Sequence, residues 1–176
     1  MGSFKEILSQ KDVEKVSPVK IVTGVENISK VCTDATIEEA EKIWPVLEAS
    51  LDIDQGEGLA AIQIGILKKV AIVKYQEKTY RLLNSKIVDK ASSIIIYNEG
   101  CLSIPGKTVN TERYSDITVH DDVLGNISLD MSADGLLPII FQHEIDHFNG
   151  ETIFDRRRKP IVRTCLLYTS PSPRDS

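Results

Sequence analysis

One hexapeptide, Gln142-His143-Glu144-Ile145-Asp146-His147, carries two histidines four positions apart with a glutamate directly after the first. On an α-helix, residues i and i+4 share a face, so His143 and His147 can bind one divalent metal. Glu144 would then face the water that such a metal holds. A lone buried histidine is usually a hydrogen-bonded core residue, but burying two imidazoles and a carboxylate without compensation costs several kcal/mol. The pattern therefore favours a metal site over a structural histidine pair.

The residues on either side of the hexapeptide predict a helix. Asp134 is the expected N-cap, Pro138 falls in the first turn, and Gly150 supplies a left-handed stop. Apolar residues and the two histidines recur at helical spacing and form one predicted buried stripe: Leu136, Ile139, Ile140, His143 and His147. The histidines are therefore expected on the buried face.

Composition limits the classes of protein that this chain can be. Its 176 residues suit one domain with a full core, and 21 Lys and Arg against 26 Asp and Glu give a net charge of −5. No basic run is interleaved with aromatics, so nucleic-acid binding is not expected, and the cluster Arg156-Arg157-Arg158-Lys159 is most simply a solvated segment. No signal peptide or membrane span is evident, which predicts a cytoplasmic protein unless an organelle address has been removed.

Two helices and several strands are predicted along the chain. Thr36-Ile37-Glu38-Glu39 has the form of a capping box and starts the first helix, which Pro45 is expected to kink or split at Trp44. Branched apolar or alternating residues then predict strands at 70–74, 80–84, 93–98, 116–120 and 126–130. Several short strands with one helix before and one after indicate a mainly antiparallel α+β domain.

The three cysteines, Cys32, Cys101 and Cys165, are too few and too widely spaced for a disulfide framework. Cys101 follows a glycine and precedes a Pro-Gly turn, which makes it a candidate third metal ligand, whereas Cys32 is better explained as a small buried hydrophobe. From Cys165 onward the sequence lacks periodicity and resembles read-through of vector or adapter sequence. We therefore expect a domain of residues 1–164 and a disordered, non-native tail of residues 165–176.

Three separated stretches resemble the three motifs of one family, the peptide deformylases. They are Gly56-Glu57-Gly58-Leu59-Ala60-Ala61-Ile62-Gln63, Glu99-Gly100-Cys101-Leu102-Ser103 and the Gln142–His147 hexapeptide. Their order and separations also match, and the resemblance extends over most of residues 4–163. It implies an α+β fold with mainly antiparallel sheets packed around a central metal-binding helix. It also implies a hydrolase that removes the N-terminal formyl group from the initiator methionine of nascent peptides.

The resemblance implies a role for each residue of the site. The expected metal ligands are Cys101, His143 and His147, which would hold Fe(II) in the cell and could also hold zinc, nickel or cobalt. Glu144 would be the catalytic carboxylate, and the Gln63 side chain with the backbone N–H of Leu102 would stabilise the oxyanion.

The resemblance also implies how the substrate is bound. Leu136, Ile139 and Ile140 would line the methionine pocket, Gly58 would meet the peptide backbone, and Glu99 would pair with Arg113 beside the pocket. Position 57 is usually apolar in this motif, so Glu57 places an unusual charge near the expected peptide groove. The expected partners are formylmethionyl nascent peptides and the ribosome near its exit tunnel, in a bacterial or phage-infected cell.

Two other functions remain open at the level of sequence. A zinc metalloprotease of the His-Glu-x-x-His kind would need a third ligand after the helix, yet no histidine follows His147 and Glu151 lies just past the Gly150 stop. Cys101, upstream, argues instead for a deformylase. A catalytically inert metal- or peptide-binding homologue would be favoured by the loss of Glu144 or Gln63, and both are present.

Overall fold

The computed structural model describes residues 16–160, so the predicted tail at 165–176 lies outside the described residues. Within this range the helices are α1 (Val25–Ile28), α2 (Ile37–Asp54), α3 (Met131–Asp134) and α4 (Leu137–Phe148), with one 3₁₀ turn at Ala61–Ile64. The strands are β1 (Gly58–Ala60), β2 (Val70–Tyr75), β3 (Lys78–Leu83), β4 (Lys86–Gly100), β5 (Thr108–Asp121) and β6 (Gly125–Asp130). None of the described helices is long and apolar enough to span a membrane.

The strands form two antiparallel sheets of three strands each, in the orders β1-β2-β3 and β4-β5-β6. The predicted mainly antiparallel α+β fold is therefore confirmed. Side chains of β2 alternate between two hydrophobic clusters: Val70 and Ile72 belong to the cluster that contains α2, whereas Ala71 and Val73 belong to the cluster that contains α4. This period of two places the first sheet between the two long helices.

Helix α2 begins where the sequence predicts. Glu39 donates its backbone N–H to the Thr36 hydroxyl at 3.2 Å, and the Glu39 carboxylate accepts the Thr36 backbone N–H at 2.9 Å. The expected split at Trp44 is wrong, because the helix continues through Pro45. Buried side chains before and after the proline, including Trp44 and Leu47, pack on the same sheet and hold both halves in one helix.

Helix α4 contacts strands of both sheets, but it does not begin as predicted. Asp134 is the last residue of α3, and its carboxylate accepts the backbone N–H of Asp130 at 2.9 Å instead of capping α4. Gly135, at φ 62°, separates the two helices, and Pro138 lies in the first turn of α4. Leu136 precedes this turn and is 44% exposed, so it is not part of the buried stripe.

The C-terminal end of α4 is held against the N-terminal part of the described chain. Gly150 has φ 71°, the left-handed conformation that the sequence predicts after this helix. The backbone N–H of Cys32 donates to the carbonyl of Phe148 at 3.0 Å, and Cys32 itself is buried, as predicted. These contacts hold the C-terminal end of α4 in place and thereby help to position its two histidines.

Candidate active site

The three motif stretches meet beside α4. Cys101 follows the last residue of β4, His143 and His147 lie one turn apart on α4, and Gln63 lies in the 3₁₀ turn after β1. One ligand atom from each of Cys101, His143 and His147 can be chosen so that all three lie within 4.8 Å of one another. The histidine rings are 5.0 Å apart, centroid to centroid. The structure thus brings the three predicted metal ligands into one cluster.

The donor atoms of this cluster fit a divalent metal. Bond lengths typical of tetrahedral zinc separate a thiolate sulfur from an imidazole nitrogen by roughly 3.5 Å, and Cys101 Sγ lies 3.6 Å from His147 Nε2. One thiolate and two imidazoles are ligands that iron, zinc, nickel and cobalt accept, and three protein ligands leave a coordination position for water or substrate. Within residues 16–160 the arrangement is thus that of a catalytic rather than a closed structural site.

His143 is oriented by a carboxylate. Its Nδ1 lies 2.8 Å from Glu99 Oε1, which leaves Nε2 for a metal. Arg113, 2% exposed, pairs with the same carboxylate at 2.6 Å and 3.0 Å, and the Thr111 hydroxyl also donates to it. Burial alone would raise the pKa of Glu99, but the hydrogen bonds from His143 and Arg113 outweigh it and hold this pKa well below its usual range. Glu99 therefore stays negatively charged and accepts a hydrogen bond from the candidate ligand His143.

Glu144 is a buried carboxylate of a different kind. It is 2% exposed, and among the described residues its Oε2 has no hydrogen-bond partner. Burial raises the pKa of Glu144 to about 7, while the charge of His143 lowers it. A β-carbon at Gly58 would overlap the Glu144 carboxylate, so the glycine is needed for this close approach. A carboxyl group with a pKa near neutrality can both accept and donate a proton.

The two histidines differ in their preference for a proton. Burial lowers the pKa of His143, but its hydrogen bonds with Cys101 and Glu99 outweigh burial and raise this pKa well above its usual value. Burial and the charges of His143 and Arg113 hold the pKa of His147 well below the usual value. These opposite shifts favour the neutral form at His147 and the protonated form at His143, and a metal binds the neutral imidazole.

Gln63 is fixed by both ends of its amide. The side-chain oxygen accepts the backbone N–H of Ala60 at 2.9 Å, so the NH₂ group faces the cluster. That NH₂ group donates to the hydroxyl of Ser103 at 3.2 Å and lies 3.6 Å from Cys101 Sγ. Gln63 is 1% exposed. It therefore presents a preorganised donor next to the cluster of candidate metal ligands.

A groove of about 780 Å³ opens above the cluster. Its floor includes Gln63, His143 and Glu144, and its apolar wall is formed by Leu102, Ile104, Leu136, Ile139 and Ile140. The loop that leads into β1, residues 56–58, also lines the groove. A β-carbon at Gly56 would lie 2.8 Å from the Leu102 side chain, which shows how closely this loop approaches the second motif. Glu57 lies between the two glycines, exposed, and lines the groove.

Several residues that support the site were not assigned by the sequence analysis. Ser103 orients Gln63, and Thr111 binds Glu99. Asp146 pairs with Arg113 at 2.5 Å and with Arg156 at 2.7 Å. Asp146 lies inside the hexapeptide and Ser103 inside the second motif, so both were within reach of a motif-based argument. Arg156 was interpreted as part of a solvated cluster, which is wrong for this residue.

The fold and the site together define a metal-dependent hydrolase. The family described as Polypeptide deformylase matches residues 12–161 of this chain. A peptide deformylase of Prochlorococcus marinus subsp. pastoris is 36% identical over 160 residues, covering 82% of this chain and 79% of the relative. The crystal structure of a peptide deformylase from Legionella pneumophila matches with TM-score 0.71 and 27% identity, covering 81% of this chain and 87% of the other. The crystal structure of a peptide deformylase from Synechococcus elongatus in complex with actinonin matches with TM-score 0.70 and 30% identity, covering 81% of this chain and 80% of the other.

The chain belongs to the peptide deformylase family. Members of this family are metal-dependent enzymes that act on formylated nascent peptides and remove the N-terminal formyl group. The Cys101, His143 and His147 cluster fits the single divalent metal that this activity uses.

Proposed function

We propose that this chain deformylates the N-terminal methionine of nascent peptides with Cys101, His143 and His147 as metal ligands and Glu144 as proton carrier. The observation that carries the proposal is the position of Glu144. It is a buried carboxylate with an oxygen that has no hydrogen-bond partner among residues 16–160, and it lines the same groove as Cys101 and His143. The metal in the cell is proposed to be Fe(II), with zinc, nickel or cobalt as substitutes, because the same donor set accepts all four.

Hydrolysis of a formamide needs a nucleophile, a polarised carbonyl and a proton for the leaving amine. When bound, a divalent metal supplies an acidified water and polarises the formyl oxygen. Glu144 takes the proton of the attacking water and then returns it to the leaving amine, for which a pKa of about 7 is well matched. Gly58, which has no side chain, leaves the space that the Glu144 carboxylate occupies.

The oxyanion of the tetrahedral intermediate needs donors that are already in place. The Gln63 NH₂ group is held by Ala60 and Ser103, and we assign the backbone N–H of Leu102 as the second donor. Preorganised donors of this kind are each worth about 3 kcal/mol of barrier. Gln63 therefore stabilises charge that appears only in the transition state.

The groove suits an extended peptide. Leu136, Ile139 and Ile140 form a pocket for the unbranched methionine side chain, while Gly58 and β4 offer backbone groups that bind a peptide regardless of its sequence. The exposed Glu57 carboxylate lies on the rim, where it would contact the residues after methionine and favour a basic one. Such a site would accept many different nascent chains, with a modest preference for a basic residue after the methionine.

The setting follows from the substrate. Nascent peptides are formylated in bacteria and in organelles of bacterial origin, so we propose that the enzyme works in the cytoplasm of a bacterial or phage-infected cell, or in an organelle, near the ribosomal exit tunnel. We further propose that residues 1–164 form the catalytic domain and that residues 165–176 contribute nothing to it.

The test is formate release by the enzyme loaded anaerobically with Fe(II), or with nickel as a stable substitute. We expect formate from formyl-Met-Ala-Ser, and at least about a hundredfold slower reaction of acetyl-Met-Ala-Ser, which corresponds to about 2.7 kcal/mol of barrier. The acetyl peptide serves as the control for acyl size. Lys or Glu as the second residue of the formyl peptide tests the contribution of Glu57.

Two outcomes would contradict this function. Cleavage of casein without formate release would favour the zinc metalloprotease. A protein that binds metal and peptide but hydrolyses neither substrate would be the inert homologue.

A further inference from the structure

Asp146 connects the metal site to Arg156 through buried charges. The Asp146 side chain is 6% exposed and accepts from Arg113 Nη1 at 2.5 Å. On its other side it accepts from Arg156 Nη2 at 2.7 Å and from Arg156 Nε at 3.1 Å and 3.2 Å. Two arginines therefore hold this one carboxylate.

Arg113 continues the connection to the ligand. Its Nη1 binds Asp146, while its Nε and Nη2 bind Glu99, and Glu99 holds His143 Nδ1 at 2.8 Å. A guanidinium is planar, so fixing one of its edges on Asp146 also fixes the edge that faces Glu99. The orientation of the His143 ring is thereby linked to the position of Asp146.

This chain of ion pairs crosses the wall between two cavities. Glu99 and His143 line the substrate groove, whereas Arg113, Asp146 and Arg156 line a separate polar cavity of about 700 Å³. Arg156, with a side chain 38% exposed, is the outermost member and also pairs with Glu151. It touches neither the groove nor the ligand cluster.

We propose that Arg156 is a positioning residue that fixes the ring of the metal ligand His143 from this second cavity. The inference rests on the proposed ligand set. Without Arg156, Asp146 is a buried carboxylate with half of its partners removed, and it rotates toward water or toward other donors. Arg113 then loses one of the two carboxylates that fix its guanidinium, and the His143 ring, which Glu99 orients, becomes freer to rotate.

The test is the rate at which a chelator removes the metal from the folded protein. Loss of the groups that orient a metal ligand typically weakens metal binding about 10- to 100-fold, and we expect Arg156→Gln, one step further out, to lose metal about tenfold faster than the wild type. Arg156→Lys keeps the charge but cannot span both Asp146 oxygens, so it should lie between the two. If Arg156→Gln does not fold, Arg156→Lys carries the test.

The matched control is Arg158→Gln. It removes the same charge from an exposed neighbour that forms no ion pair among the described residues, and we expect its metal loss to equal that of the wild type. The visible spectrum of the cobalt form is the second readout, because it reports the geometry of the thiolate and imidazole ligands. A purely structural Arg156 would lower the melting temperature of the metal-free protein without changing either the spectrum or the rate of metal loss at a temperature where all variants are folded.

Three results would overturn the inference. One is metal loss from Arg156→Gln within twofold of the wild type. A second is equal acceleration in Arg158→Gln, which would show a general effect of charge. The third, a wild-type protein that binds no metal, would overturn the proposed ligand set as well, and is thereby distinguished from the first two.

Discussion

Glu144 and Glu99 are two glutamates within one site whose surroundings give them opposite chemistry. Glu99 accepts from His143, Arg113 and Thr111 and remains an anion that positions a ligand. Glu144 lines the groove, one of its oxygens has no hydrogen-bond partner in the described part of the chain, and burial raises its pKa to about 7. A carboxylate that stays anionic, such as Glu99, can orient a metal ligand, whereas a carboxyl group with a pKa near neutrality, such as Glu144, can transfer protons.

The close approach of Gly58 to Glu144 yields a prediction at this scale. In Gly58→Ala the new methyl group occupies the position of the Glu144 carboxylate, and the flexible carboxylate has to move. Because a misplacement of about 1 Å can cost about a hundredfold in rate, we expect formate release to fall by one to two powers of ten, roughly. Metal content and melting temperature should stay near those of the wild type. Unchanged formate release would show that Glu144 works from another position.

At the scale of elements, α4 depends on the turn that ends it. An added β-carbon at Gly150 would lie 2.9 Å from the carbonyl carbon of Lys30, and φ is 71°. A left-handed alanine alone costs about 1–2 kcal/mol, and the neighbour is backbone that cannot move aside. We expect Gly150→Ala to lower the melting temperature by several degrees, roughly 4 °C or more. Gly106→Ala, also at positive φ but with no atoms within 4 Å of an added β-carbon, is the control for conformation alone. Equal losses in both variants would show that the contact with Lys30 contributes nothing.

The long elements show which parts of the fold are encoded locally. The capping box of α2 and the stop of α4 were predicted because neighbouring residues determine both. The start of α4 was wrong because Asp134 has a closer partner in Asp130. Strand β4 extends over 15 residues, although only 93–98 were predicted, because most of its side chains are exposed and show no alternation of burial.

At the scale of the whole molecule, the site is made of residues that sequence separates. Cys101 and His143 are brought together by β4 and α4, and no periodicity shows that pairing; the resemblance of three motifs did. The pairing of Arg156 with Asp146 could not be predicted from the sequence. Within a run of four basic residues it is indistinguishable from its neighbours, and only the folded chain shows that it faces a buried aspartate.

The central claim is that Cys101, His143 and His147 bind one metal while Glu144 binds none and moves the proton. The measurement that tests it most directly is metal content per chain in Cys101→Ser and Glu144→Gln, with formate release measured on the same samples. We predict that Cys101→Ser holds little or no metal, because a serine hydroxyl is a poor ligand for these ions. Glu144→Gln should hold one metal and release formate at least about a hundredfold more slowly. One tightly held metal in Cys101→Ser, or wild-type formate release by Glu144→Gln, would contradict the account.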